Sequence, residues 1–359
     1  MIPFESFGLN EELGMKVAAS PQIYILQRSC HHNPELINLN PENPKPALPS
    51  EPIEPTATYS KETTMLTYHT LSEFFAAADA AHCAPGELAC RQEAEESGKS
   101  FEDVWERMKD MIPIFRQSIQ EGLSDTAKSS SGLVGGDANR LFQGKMHFLS
   151  PVCQRAAAYA VATAEANAKM YRIVACPTAG SCGILPAVLA AVSEEVNATM
   201  NDMTRALFTA GAIGKVVAEK ASIAGAVGGC QAECGTAAAM AAAAAVDLLG
   251  GTNAQMADAF ALALKNILGL VCDPVGGLVE VPCVKRNAFH AVHALVAVEM
   301  VMNGVKSAIP ADEVISAMAD VGRRLPVELK ETSRAGLAMT ETGKRIQAKL
   351  DEKAKHLGC

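Results

Sequence analysis

Aromatic residues are scarce, at 5% of the 359 positions. The core must therefore be built from Ala, Leu, Val, Ile and Met. No Lys/Arg block interleaved with aromatics occurs, and the net charge is −9, so nothing favours a nucleic-acid partner. The N-terminal stretch carries Glu5, Glu11 and Glu12 with no basic region before an apolar run, so no signal peptide is expected. The most apolar stretch, Thr236 to Val246, is mostly alanine and soon meets Asp247 and Gly250-Gly251. It is too short to span a bilayer, and no membrane partner is expected. Alternating Val/Ile/Thr series with hairpin turns are missing, which argues against an all-β fold. No His-x-x-x-His or paired C-x-x-C zinc pattern is present. The 11 cysteines are odd in number and irregularly spaced, which excludes a secreted disulfide scaffold and points to a reducing cytoplasm.

What is present is a chain 49% hydrophobic and 20% charged, long enough for a substantial core in one large domain or two. Nine of its 18 prolines fall in the first 55 residues. Residues 1–64 are read as an extended, disordered extension, a linker or translated leader rather than a proline-rich docking segment. Initiation at Met65 is expected. Residues 65–345 form the helical domain, and 346–359 a tail that ends in Cys359. Thr70-Leu71-Ser72-Glu73 reads as a capping box and Ser100 as a second cap. Val104, Met108, Met111 and Phe115 recur at helical spacing. Periodicity therefore gives an all-α class: a bundle of roughly ten helices around a Gly/Pro-rich loop site.

That loop is Cys272-Asp273-Pro274-Val275-Gly276-Gly277-Leu278-Val279-Glu280-Val281-Pro282-Cys283. Two prolines and a glycine pair exclude a helix interior, so a rigid buried loop with a thiol at each end is expected. Gly228-Gly229-Cys230-Gln231-Ala232-Glu233-Cys234-Gly235 is a second turn-like cysteine segment. A lone buried cysteine behaves as a small hydrophobe. Several thiols on turns can converge, and iron–sulfur clusters are held by thiolates. With three protein ligands, one iron keeps an open position as a Lewis acid.

Three further stretches carry polar chemistry. Thr126 to Asp137 contains Lys128, Ser129, Ser130, Ser131, Gly132 and Gly135-Gly136. It is either a solvated connection or a loop whose backbone N–H groups, hydroxyls and Lys128 cradle a carboxylate. Pro177-Thr178-Ala179-Gly180-Ser181-Cys182-Gly183 breaks one helix and begins another, and Thr178, Gly180 and Ser181 make a polar patch there suited to a carboxylate. Cys176 and Cys182 bracket that turn. His290 and His293 lie one helical turn apart and are assigned no metal role, since hydrogen-bonded histidines are commoner.

The two cysteine segments, with Val284-Lys285-Arg286-Asn287-Ala288, resemble the α-chain of bacterial iron–sulfur L-serine dehydratases. So do Ser131-Gly132-Leu133-Val134-Gly135-Gly136-Asp137-Ala138 and Ala175-Cys176-Pro177-Thr178-Ala179-Gly180-Ser181-Cys182-Gly183. The resemblance runs from about residue 70 to about 345.

It implies that Cys230, Cys272 and Cys283 hold a [4Fe–4S] cluster, with Cys230 preferred to Cys234 and with Cys176 and Cys182 left as packing residues. It implies an enzyme, a lyase of amino-acid catabolism, that eliminates water from L-serine to give pyruvate and ammonia. Lys128, Ser129, Ser131, Thr178, Gly180 and Ser181 become substrate-binding candidates. One departure is that relatives often carry a basic residue near the position of Ser130, which leaves its role to Lys128 or unfilled. Some relatives end in a cysteine whose tail occupies the open iron, which makes Cys359 a further metal-ligand candidate. Single-chain relatives carry an additional α/β region with no counterpart here. The resemblance therefore implies a β-chain partner, an oligomeric enzyme, and a catalytic base that no residue of this chain is assigned. Other readings are a cysteine desulfidase or related amino-acid lyase, and a non-catalytic iron–sulfur sensor with four protein ligands.

Overall fold

The computed structural model describes residues 19–20, 23–26 and 68–356. The expectations about Met65, Cys359 and the densest proline run lie outside the described residues.

The architecture is all-α, as periodicity predicts. The helices are α1 Leu71–Ala80, α2 Pro85–Ser97, α3 Phe101–Lys109, α4 Met111–Ser124, α5 Asp137–Gln143, α6 Pro151–Ala168 and α7 Ile184–Val196. They continue as α8 Met200–Lys220, α9 Gly225–Gly228, α10 Thr236–Leu248, α11 Asn253–Lys265, α12 Cys283–Met302, α13 Ala311–Arg324 and α14 Glu341–His356. That exceeds the expected ten because short pieces such as the four-residue α9 lack a readable period. The Thr70 capping box forms: Thr70 Oγ1 accepts the Glu73 N–H at 3.1 Å, and the Glu73 carboxylate accepts the Thr70 N–H at 3.1 Å. Ser100 caps α3, its Oγ accepting the Asp103 N–H at 3.0 Å. The stripe of Val104, Met108, Met111 and Phe115 is buried, although it crosses the break at Asp110 between α3 and α4.

Among the described residues, strand is confined to a small antiparallel sheet in the order β1 (Ala19–Ser20), β2 (Ile23–Leu26), β3 (Ile173–Ala175). Tyr24 pairs with Ala175 and Leu26 with Ile173. The Ile23-Tyr24-Ile25-Leu26 run has the branched and aromatic residues strands favour. Residues 19–20 and 23–26 fall within the stretch read as an extended extension. Helix α6 ends at Ala168, before β3 begins.

The axis of the fold is α10. Every residue from Thr236 to Leu248 is buried, and α7, α8, α11 and α12 pack around it. A helix apolar on all sides belongs in a core, and alanine lets its neighbours approach closely. The Cys230 segment is not a free turn. It enters α10 through a π-helical turn, Gln231–Gly235, of the kind found at functional sites. Before it, Gly229 has φ +77°, and a Cβ there would lie 2.7 Å from Leu325 and 2.9 Å from the Leu270 carbonyl. Only glycine meets both demands.

The Ser/Gly-rich loop is pinned from below. Glu165, fully buried in α6, accepts N–H bonds from Gly135 at 3.2 Å, Gly136 at 3.0 Å and Asp137 at 3.0 Å. The backbone donors of this loop are thus filled by a carboxylate of the chain itself. Glu165→Ala strands three of those donors, and hydrogen bonds to a charged group are worth about 1.5–3 kcal/mol each. Because such losses are not additive, a destabilisation of about 3 kcal/mol is expected, read from the urea midpoint at unchanged slope.

Candidate active site

Four cysteines meet where the π-turn, the 272–283 loop and the start of α12 converge. Cys230, Cys234, Cys272 and Cys283 are buried, and none is in a disulfide. The Cys230 and Cys234 sulfurs are 3.3 Å apart. The Cys234 and Cys272 thiols donate to the Cys230 sulfur, and Arg286 and His290 stand near it, so its pKa falls well below the usual thiol value. The other three move upward. Hydrogen bonding to Cys230 and then burial raise Cys234 and Cys272, while burial followed by the Cys230 charge pushes Cys283 up to about 12. Buried thiols this close sustain one negative charge and resist more. A bound cation would remove that limit, because metal binding releases thiol protons.

The 272–283 loop is held on both sides. Cys272 donates its N–H to the Leu329 carbonyl at 2.9 Å, and its own carbonyl accepts the Glu331 N–H at 2.8 Å. Ser333 Oγ donates to the Pro274 carbonyl at 2.6 Å. Glu331 and Ser333 both have positive φ, +63° and +56°, a cost that fixes this strap against the loop. Arg286, on α12, donates to the Val271 carbonyl at 2.9 Å and to Asp273 at 2.8 Å, and its guanidinium also reaches Cys230.

Two carboxylates border the thiols. Glu233, on the π-turn, accepts from Cys272 Sγ at 3.9 Å and from the Thr178 hydroxyl. Burial first, then the Cys230 charge and Glu331, push its pKa up to about 8. Glu233, Cys272 and Glu331 place ligand atoms within 4.8 Å of one another, a set able to hold a cation. A Cβ at Gly225 would lie 2.5 Å from Glu233 Oε2 and 3.2 Å from Cys272 Sγ, so the glycine keeps this space open. His290 adds a buried Nε2 with no hydrogen-bond partner. Free thiols, a reserved space and an orphaned nitrogen fit a thiolate-ligated inorganic group.

The structure brings some of the sequence candidates to this place. Thr178 reaches Glu233, and Gly180 backs onto it, with Glu233 Oε1 3.4 Å from where a Cβ would stand. Ser181 is spent inside its own turn, 3.1 Å from Thr178 Oγ1 and 3.4 Å from the Cys176 carbonyl, to which it donates. Ser129 and Ser131 donate to Glu280 at 2.8 and 2.6 Å, which ties their loop to the residue three before Cys283. Lys128 is exposed and contributes its charge to Asp137. Lys353 of α14 donates to the Ser130 carbonyl, so a lysine distant in sequence comes to the serine loop. Cys176 and Cys182 are core residues, as expected.

Sequence reasoning missed Asn287. Its Oδ1 accepts the Gly183 N–H at 2.9 Å, and its Nδ2 donates to the carbonyls of Gly180 and Cys283, each at 2.9 Å. It stitches the Thr178 turn to the third cysteine. It sits in the motif after Cys283, where a lone buried amide was the available signal.

Comparison with known proteins matches residues 82–338 to the family model described as serine dehydratase alpha chain. The chain is 50% identical over 262 residues to the probable L-serine dehydratase, alpha chain, of Bacillus subtilis, covering 72% of this chain and 87% of that one. It is 39% identical over 265 residues to the L-serine dehydratase, alpha chain, of Peptoniphilus asaccharolyticus, covering 73% and 90%. An L-serine dehydratase of Streptomyces coelicolor is 45% identical over 183 residues, which is 50% of this chain but 40% of that protein.

A raised carboxyl pKa makes folding depend on pH. The folded metal-free chain keeps the Glu233 proton between about 4.5 and about 8, where the unfolded chain loses it. Glu233's contribution is therefore complete below that window and declines as pH rises through it. At one unit per 1.36 kcal/mol, Glu233→Gln should recover up to about 4 kcal/mol at pH 8.5 relative to pH 5. Parallel urea titrations of both metal-free proteins measure it, and identical pH profiles would refute the assignment.

Proposed function

The chain belongs to the serine dehydratase alpha chain family, and on that premise we propose that it is the thiol-bearing chain of an L-serine dehydratase. The reaction removes water from L-serine and leaves pyruvate and ammonia. The observation that carries the reading is the convergence of Cys230, Cys272 and Cys283 in one buried, glycine-spaced centre.

In this reading Cys230, Cys272 and Cys283 hold a [4Fe–4S] cluster. With three protein ligands, the group supplies Lewis acidity toward the β-hydroxyl, which otherwise leaves poorly as hydroxide. The remaining work belongs to the polypeptide. Burial of the thiols keeps bulk water from the reacting centre, which strengthens every charge interaction within it. Arg286 offsets the negative charge that thiolates accumulate. The Thr178–Ser181 turn lies beside the centre and offers Thr178 Oγ1 and the Gly180 backbone to the substrate. Lys128, Ser129 and Ser131 are assigned to the substrate carboxylate, with the hydroxyls already oriented on Glu280.

The base that takes the Cα proton is assigned to a second polypeptide, a β-chain. Relatives of similar length are called alpha chains, and this chain matches only 40% of the Streptomyces coelicolor protein. Cys359 is proposed to reach the centre in the resting enzyme, and the enzyme is proposed to be cytoplasmic and oligomeric.

Anaerobic reconstitution with the β-chain tests the reading. L-serine should release pyruvate and change the visible spectrum of the cluster, and L-serine should be turned over faster than L-cysteine. Cys230→Ser, Cys272→Ser and Cys283→Ser should each lower iron content and activity together. Lys128→Ala removes a charge-assisted contact of about 1.5 kcal/mol, so KM for L-serine should rise about tenfold. Cys359→Ser should shorten any activation lag at unchanged iron content. Turnover of serine by an iron-free preparation would overturn the cluster, and full turnover without a second chain would overturn the partner.

A further inference from the structure

One buried donor near the thiols is left unused by everything above. On α12, Cys283, Arg286 and His290 occupy positions i, i+3 and i+7, which a helix aligns along one face. Cys230 acts electrostatically on both Arg286 and His290, and both act on it in return. Arg286 is fully engaged, with Val271, Asp273 and Cys230 as partners. His290 is not. Its Nε2 is shielded from solvent and finds no hydrogen-bond partner.

The orientation of that ring is set by its neighbour. His290 packs edge-on against His293, with centroids 6.3 Å apart and planes at 86°. His293 Nε2 lies 2.8 Å from the Ala263 carbonyl and donates to it, which anchors the pair to α11. Burial lowers the His290 pKa to about 4, so the imidazole is neutral near pH 7 and carries one N–H. An unpaired buried polar group costs about 1–3 kcal/mol, and native proteins seldom leave one without a reason. His290 shares the α12 face that carries Cys283 and Arg286, and its ring lies within electrostatic reach of Cys230.

We infer that His290 is a positioning residue of this centre, its Nε2–H donating a hydrogen bond to a sulfur of the iron–sulfur group held at Cys230, Cys272 and Cys283. The inference rests on the cluster reading above. Hydrogen bonds to cluster sulfurs help set the reduction potential. A donor favours the more negative, reduced state, so its loss moves the potential downward.

The test uses the two-chain enzyme reconstituted without oxygen, in wild-type form and as His290→Gln and His290→Leu. Glutamine keeps an N–H donor near the Nε2 position, and leucine fills similar volume without one. Iron and sulfide per chain, the potential from a redox titration followed by electron paramagnetic resonance, and KM for L-serine are measured together. Equal iron content, a potential shifted negative in His290→Leu and a near-native potential in His290→Gln are expected. If His290→Leu does not load, His290→Met is read in the same way. A loaded leucine or methionine variant at the wild-type potential overturns the inference, since a water would then be all that Nε2 meets. A changed KM at an unchanged potential overturns it in favour of a contact to substrate. If wild-type protein takes up no iron and sulfide, the cluster reading itself fails and the inference falls with it.

Discussion

Arg286 is the point on which the centre depends. A buried guanidinium must be paired, and leaving one unpaired costs several kcal/mol. Its partners are spread across all three cysteine segments. It donates to Val271 and Asp273 on either side of Cys272, reaches Cys230 at the entrance to α10, and rides on α12 three residues after Cys283. Asp273, its counter-charge, also accepts the Leu337 N–H at 2.8 Å. One ion pair therefore ties the axial helix, the Gly/Pro loop, α12 and the C-terminal strap. No smaller residue does this, because only the planar fork of arginine presents several fixed donors at once.

That constraint explains the electrostatics around it. Cys230 is the thiolate here, held so first by the Cys234 and Cys272 thiols and then by the charge of Arg286. Hydrogen bonding to Cys230 and then burial hold Cys234 and Cys272 protonated, while burial and then the Cys230 charge do the same for Cys283 and Glu233. The chain alone thus contains a set of donors that cannot all ionise. A group carrying its own positive charge is what would let them do so, which is why the protein's charge balance and its ligand chemistry are one question rather than two.

Much of this was legible before any coordinates. The Thr70 and Ser100 caps and the buried stripe of Val104, Met108, Met111 and Phe115 follow from local pattern and turn chemistry. What escaped depends on distance along the chain. The Glu280 contact to Ser129 and Ser131 spans about 150 residues, and the Asn287 contact to Gly183 spans 104. The periodicity of a segment carries no information about such partners. The π-turn escaped for a different reason: glycine and cysteine around position 230 read as a loop, and only burial against Leu264, Ile267 and Leu325 turns them into the first turn of a core helix. His290 escaped because a histidine on a mixed helix face has a cheap explanation. Its missing hydrogen bond is visible only once every neighbour is placed.

The strap adds a last step. Residues 329–337 hold the cysteine loop through the Leu329, Glu331, Ser333 and Leu337 backbone and side-chain contacts. From there α14 lies against the same loop, with Leu350 Cδ1 2.5 Å from where a Cβ on Gly276 would stand. Its Lys353 closes onto the Ser130 carbonyl of the serine loop. The thiol loop and the hydroxyl loop, 150 residues apart in sequence, are therefore clasped by one C-terminal segment. Because Glu280 already links the two loops at the core, the clasp works from the outside on a joint made inside. Movement of α14 away from Gly276 would loosen both loops at once, so the geometry of thiols and hydroxyls is set as a unit and not loop by loop.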